Sequence, residues 1–530
     1  MNIRIFFPIL ICATAMTMAA QEYIRAQPGD MVLQMDFESA DARARWSSQS
    51  CASWVELPGR GTCLKVVVPN TELANSGNMT ELPIDVSAYG NCQLLFTCQA
   101  KAENVSKPSK SYLGVKYMFN CNSKSDGQQW VNENDVHGTF DWKQLRFKVS
   151  IPGDVEQAKI VLGMQESHGT IYFDDIVITV LRSVPSRPKP NPNAPPVFKG
   201  HSLPRLRGVM SPNEFKDEDL RVLGEEWNAN LIRWQMTTRW AAEYKSPQDY
   251  NMELYDQWLD KELEDLDQVL NACRKYGIMV VIDLHSPPGG RRPNKDLVML
   301  HEPAYLDKFV SVWELIARRY KDNPSVWAYD LVNEPVMSMP APEGMPDYLG
   351  AQTLAAKAIR AIDPKTPIII EVDYWDSAEG FKYIDHPVDI PRIIYQVHMY
   401  WPGAFTHQGV NDAKIGVDYP GKINNELVDK ETLRKHLEPV REFQLAYNVH
   451  IYAGEFSAIR WAPNDSAYRY LRDCIDLFEE YGWDWTYHAY REWDGWSVEH
   501  GNDPNEHLPA ETQTGRKKLL LGWCGKNERP

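Results

Sequence analysis

Two glutamates stand in short polar motifs far apart in the sequence, Glu334 in Asn333-Glu334-Pro335 and Glu455 in Gly454-Glu455-Phe456. Other groups able to bind or move a proton accompany them: Arg233 in Asn230-Leu231-Ile232-Arg233, His285 in Asp283-Leu284-His285, and His398 and Tyr400 in His398-Met399-Tyr400. A pair of carboxylates is what breaking a glycosidic bond requires. One must deliver a proton to the leaving oxygen while the other stabilises or attacks the anomeric carbon. Taken singly, each residue has a plainer explanation: a histidine satisfied in a core, an arginine in a buried ion pair, a packed tyrosine, or a glutamate solvated among 72 acidic residues. What favours chemistry is that every motif closes a strand-like run. A metal-dependent hydrolase would use the histidines differently, and would usually carry His-x-His at the end of its first strand. Residues 206–211 contain no histidine, and no CxxC or HExxH spacing occurs. No metal and no cofactor are expected.

The elements that must position these groups begin after about His201. Strand-like runs recur at 206–210, 230–236, 278–285, 326–334, 367–373, 393–400, 450–456 and 484–490. Runs such as Ile278-Met279-Val280-Val281-Ile282 are apolar at every position, as strands between a core and a helix layer must be. Between them lie helical patterns. Leu259, Leu263, Leu266, Leu270 and Cys273 follow an i, i+4, i+7 rhythm that stops before Gly277. Tyr468, Leu471, Ile475 and Phe478 repeat it, opened by Asn464-Asp465-Ser466 and closed by Gly482. Eight such units predict a (β/α)8 TIM barrel over 201–530, whose strands turn their carboxyl ends to one mouth. The rival, an open doubly wound sheet, would carry a glycine-rich phosphate loop after its first strand, which Arg207-Gly208-Val209-Met210-Ser211-Pro212 lacks.

Residues 21–183 show short strands and turns instead, as at 64–68, 94–98 and 145–151 and in the run 169–180, whose middle carries Asp174-Asp175. An all-β sandwich is predicted here. Trp46, Trp54, Trp130 and Trp142 are its candidate sugar platforms, because an indole can stack on a pyranose while its N–H bonds a hydroxyl. Asp174 and Asp175 are candidate calcium ligands, or simply a charge pair at a turn. A proline-rich stretch at 184–200 reads as a stiff linker. Residues 1–20 read as a secretory signal, with Arg4, an apolar run and then small residues. That predicts an exported protein, extracellular or periplasmic, with no membrane attachment after cleavage. Export permits disulfides among the nine cysteines, although no pairing follows from their order. The chain has 530 residues and a formal charge of −16, which argues against a nucleic-acid partner and favours a neutral substrate.

Residues 205–499 resemble glycoside hydrolase family 5, the cellulase-like retaining glycosidases, through Arg233, His285, Asn333-Glu334-Pro335, His398-Met399-Tyr400 and Gly454-Glu455-Phe456. The resemblance implies that Glu334 is the acid/base and Glu455 the nucleophile. It further implies that Asn333 bonds the sugar 2-hydroxyl, that Tyr400 and Arg233 hold the nucleophile, and that His285 and His398 line the adjoining subsite. One departure stands out. The family usually ends strand eight with a tryptophan that floors the cleavage subsite, whereas here His488 takes that place and Trp493 or Trp496 is left to supply the platform. The front region resembles jelly-roll carbohydrate-binding modules through Met35-Asp36-Phe37-Glu38 and Tyr172-Phe173-Asp174-Asp175. Together these imply a secreted hydrolase of β-linked polysaccharide or oligosaccharide, endo-β-glucanase-like, with an appended binding module. The alternative is a non-catalytic polysaccharide-binding protein on the same scaffold.

Overall fold

The computed structural model describes residues 26–125, 127–240, 251–410, 413–423 and 426–530. The signal-like segment 1–20 lies outside them. The described chain falls into two compact units that divide between Ser183 and Val184, except that Arg146–Lys148 group with the second.

The first unit holds ten strands: β1 (Met31–Met35), β2 (Ala52–Leu57), β3 (Gly61–Val68), β4 (Met79–Ile84), β5 (Gln93–Val105), β6 (Gly114–Ser123), β7 (Gly127–Asn132), β8 (Gly138–Ser150), β9 (Val155–Gln165) and β10 (Gly169–Arg182). They form two sheets. One runs β2-β3-β10-β5-β8 with β1 alongside β10, and the other runs β4-β9-β6-β7. Along β5, Leu94, Phe96, Cys98, Ala100 and Ala102 are buried in strict alternation, the period that turns one strand face to a core. Phe96 meets Phe119 of the other sheet with ring centroids 4.9 Å apart. The four tryptophans fare differently. Trp46 and Trp54 pack on Phe37, Trp142 lies under the Arg60 guanidinium, and Trp130 on β7 is 54% exposed. Asp174 and Asp175 fall on an irregularity in the β10–β5 pairing, and Arg60 bridges both carboxylates at 2.9 and 2.6 Å. All eight described cysteines are free thiols.

The second unit contains eight parallel strands closed into a barrel: β11 (Arg207–Met210), β12 (Leu231–Gln235), β13 (Met279–Asp283), β14 (Val326–Asp330), β15 (Ile368–Ile370), β16 (Ile393–Met399) and, after a small hairpin of β17 (Gly421–Ile423) and β18 (Glu426–Val428), β19 (His450–Phe456) and β20 (Asp484–Tyr487). Each lies within a run expected to be a strand. The helix Met252–Tyr276 buries Leu259, Leu263, Leu266, Leu270 and Cys273 and ends at Gly277, whose φ of 68° is the left-handed cap that glycine adopts without strain. The helix Ser466–Tyr481 likewise ends at left-handed Gly482.

Strand alternation explains how the barrel interior is layered. Leu231, Val281, Ala328, Ile369, Ile394 and Tyr452 form a dry inner cluster. Two residues further along the strands come Arg233, Asp283, Asp330, Glu371 and Gln396, all on the same inward face. The core therefore changes from apolar to charged within one strand step. Beneath it, Asp484 pins the base: one carboxylate oxygen accepts from His201 and His450 at 2.9 and 2.8 Å, and the other from the Leu206 amide at 2.7 Å. The proline-rich stretch is laid along this unit rather than standing free. The Arg187 guanidinium bonds the Phe381 and Ile384 carbonyls, Pro195 accepts from Asn448, and Lys199 accepts from Trp327.

Candidate active site

The mouth is organised around one guanidinium. Arg233, fully buried on β12, donates to Asp330 (2.7 Å), Glu371 (2.8 Å), Asn333 (3.1 Å) and Glu455 (2.6 Å), with Asp283 at 3.2 Å. One cation thus faces four buried carboxylates, and charge balance separates their protonation. Burial outweighs Arg233 at Asp330, pushing it up to about 6, and holds Glu371 well above the usual carboxylate range. Glu455 goes the other way. Burial alone would raise it, but His398, His488 and Arg233 together hold it well below. A carboxylate kept ionised in a dry site is suited to attack an electron-poor carbon.

Glu455 reaches the mouth through a bulge. Across the β16–β19 pairing Val397 stands opposite Ala453, yet His398 stands opposite Glu455, leaving Gly454 as the extra residue. From inward-facing Tyr452, plain alternation would turn Glu455 outward, and the additional residue turns it back. Gly454 is required there, because a Cβ would lie 2.3 Å from the Gln396 side chain. The Tyr400 hydroxyl then donates to the other Glu455 oxygen at 2.9 Å.

Glu334 follows β14 in the left-handed region, at φ 49°, a conformation costly for a side chain this long. Three bonds hold it. Its amide donates to Glu371 at 2.5 Å, and Arg291 donates to the carbonyls of Asn333 and Glu334 at 3.0 and 2.9 Å. Its carboxylate meets Nδ1 of His398 at 3.0 Å, and the same nitrogen lies 3.8 Å from Glu455. Glu334, His398 and Glu455 each bring one donor atom within 4.8 Å of the others. His285 is oriented by Asp283 at 2.8 Å and turns its other nitrogen to the Asn333 amide at 3.3 Å.

The fold thus gathers Arg233, His285, Asn333, Glu334, His398, Tyr400, Glu455 and His488 into one cluster. His488 touches Tyr400 at 2.6 Å and Glu455 at 3.2 Å. Trp493 lies further out, 36% exposed and edge-on to Trp461 and Trp496. Trp496 is the nearer ring, stacked on Tyr400 with centroids 5.2 Å apart. Sequence reasoning passed over Asp330, Glu371, Gln396, Glu492 and Trp375. Glu371 closes β15 just as the chosen residues close their strands, so the same rule would have found it. Trp375, exposed beside Pro335 and under the Arg291 guanidinium, had no such signal. Among the described residues, three groups of donors could surround an ion: Glu334 with His398 and Glu455, Glu371 with Asp376 and His398, and His201 with His450 and Asp484. In the last, both imidazoles are already hydrogen-bonded to the carboxylate.

Comparison with known proteins places this barrel. Residues 192–494 match the family described as Cellulase (glycosyl hydrolase family 5). Endoglucanase C of Acetivibrio thermocellus is 30% identical over 257 residues, 42% of this chain and 72% of that protein. Cellodextrinase A of Ruminococcus flavefaciens is 24% identical over 298 residues, 52% and 81% of the two chains. Among solved structures, Thermotoga maritima Cel5A in complex with cellobiose, in mutant form, aligns at 23% identity with a TM-score of 0.47, covering 62% of this chain and all of that one. The matched stretch takes in all eight barrel strands and with them both glutamates: the chain belongs to glycosyl hydrolase family 5 and is a glycoside hydrolase, acting on O-glycosyl bonds.

Proposed function

We propose that the protein is an exported, retaining endo-β-glycanase of cellulase type, with Glu334 as acid/base and Glu455 as nucleophile. The observation that carries the retaining reading is the approach of the two carboxylates, whose nearer oxygens lie within 4.8 Å. Retaining sites hold their carboxyl groups roughly 5–5.5 Å apart, and inverting sites leave roughly 6.5–9.5 Å for a water between them. In the first step Glu334 gives its proton to the leaving oxygen while Glu455 bonds the anomeric carbon. In the second, water attacks that carbon, its proton passes to Glu334, and the bonding pair returns to Glu455. Tyr400 and Arg233 hold the nucleophile in line, and Asn333, fixed by Arg233, meets the 2-hydroxyl. A polysaccharide substrate accords with the endoglucanase and cellodextrinase names of the relatives. No helix among the described residues is long and apolar enough to cross a membrane. The front unit serves as a glycan-binding module, with Trp130 its open aromatic face.

Proton NMR of the first-formed product from a β-glucan oligosaccharide tests the mechanism. A β-anomer appearing before mutarotation is expected, and an α-anomer would overturn it. Product sizes across β-glucan, mannan, xylan and xyloglucan decide the substrate and endo action.

A further inference from the structure

His488 stands between two carboxylates. Nε2 lies 2.5 Å from Glu492, four residues on, while Nδ1 lies 3.2 Å from Glu455 and 2.6 Å from the Tyr400 hydroxyl. His488, Glu492 and Glu455 are all at most 9% exposed in their side chains. A neutral imidazole has one N–H and would turn a lone pair towards a carboxylate at its other edge, whereas an imidazolium donates at both. Tyr400 has one proton for two partners: donated to Glu455 at 2.9 Å, it leaves the 2.6 Å contact with Nδ1 to be made by a ring N–H. Around the pair, Trp496 packs edge-on at 5.0 Å, His407 lies across Trp496 and Tyr400, Arg239 faces Glu492 at 3.5 Å from the solvent side, His285 acts on Glu492, and His398 lies 3.8 Å from Glu455.

We propose that Glu492 is a positioning residue for the nucleophile: it orients His488 and keeps its ring cationic, so that Glu455 works against a further fixed positive charge besides Arg233 and the neighbouring His398. The need for one follows from the charge count, since Arg233 is already shared with Asp283 and Asp330. Burial would neutralise His488, but Glu492 and Glu455 outweigh it and lift the ring to about 10. The inference rests on Glu455 being the nucleophile. The charge matters most in the second step, when the Glu455 ester bond breaks, its electron pair stays on the carboxylate, and the attacking water yields its proton to Glu334. An imidazolium stabilises that departing carboxylate.

Two measurements on the full chain test this. Nitrogen-15 NMR of the histidine rings, with His488 assigned by its loss in His488→Asn, should find both nitrogens of His488 protonated at about pH 8 in the wild type. In Glu492→Gln the ring should titrate near the ordinary value of about 6.5. A neutral wild-type ring, or one unchanged by Glu492→Gln, overturns the proposal whatever the enzyme cleaves. Hydrolysis of 2,4-dinitrophenyl β-cellobioside supplies the second readout. At about pH 8, Glu492→Gln should lose about 10- to 100-fold in kcat, with KM falling alongside and a burst of dinitrophenol as the ester accumulates. At about pH 5.5, where a freed histidine is charged again, it should come within about threefold of wild type. Glu492→Asp should restore the alkaline activity. A loss equal at both pH values marks Glu492 as merely structural and overturns the proposal. A charged ring in an enzyme that retains full turnover as Glu455→Ala would instead overturn the assignment of the nucleophile.

Discussion

Glu334 and Glu455 share one neighbour, His398, yet their surroundings differ. Glu455 receives Arg233, Tyr400 and His488 and is held ionised, whereas the described contact of the Glu334 carboxylate is His398 alone. Alanine variants should expose the difference. Glu455→Ala should lose nearly all turnover even with an activated aryl glycoside, because no ester can form. Glu334→Ala should retain the first step on that substrate and lose roughly 10² to 10⁴ on a natural glycan, the usual worth of a general acid. Azide then separates the roles, giving the inverted glycosyl azide with Glu455→Ala and the retained one with Glu334→Ala. Chromatography of the azide products reads the outcome, and the same anomer from both would refute the division of labour.

At the scale of the element, the device that matters is the one-residue bulge in β19. Gly454 makes room for Gln396, which bonds both Glu371 and His398, so the bulge positions Glu455 and the layer beneath Glu334 together. Gly454→Ala would drive a methyl into the Gln396 amide. Urea denaturation should show a loss of about 1–3 kcal/mol, typical of overpacking, together with a fall in kcat. Adding Gln396→Ala should recover much of the stability while leaving kcat low. A single variant as stable as wild type would mean that the amide can move aside and that sterics do not fix the bulge.

For the whole molecule, the negative net charge and two separate cores suit an enzyme that works on neutral polymer. The front unit has its own apolar core, including Phe96, Phe119 and the alternating face of β5. Residues 21–183 expressed alone should unfold cooperatively and should be retarded in native gels containing a β-glycan without cleaving it. Trp130→Ala should abolish the retardation while leaving the unfolding midpoint unchanged, because Trp130 is largely outside the core. Free migration across a panel of glycans would favour a spacer role.

The eight barrel strands, the helix faces and the polar residues that end the strands were all legible along the chain. Hydrophobic period and local punctuation are properties of neighbouring residues, and the sequence by itself determined them. Leu231 followed by Arg233, Val281 by Asp283 and Ile369 by Glu371 already encode an apolar layer under a charged one. Three matters were decided only by tertiary structure. The bulge that turns Glu455 inward depends on how β19 pairs with β16, a register that no single strand records. The tryptophan that packs on Tyr400 is Trp496, with Trp493 further out, because the path of a loop after its strand is set by what it packs against. The protonation pattern of the mouth depends on which carboxylates share Arg233 and which also meet a histidine. Those distances join residues up to 222 positions apart, and electrostatic energy depends on separation in space, which sequence spacing does not specify.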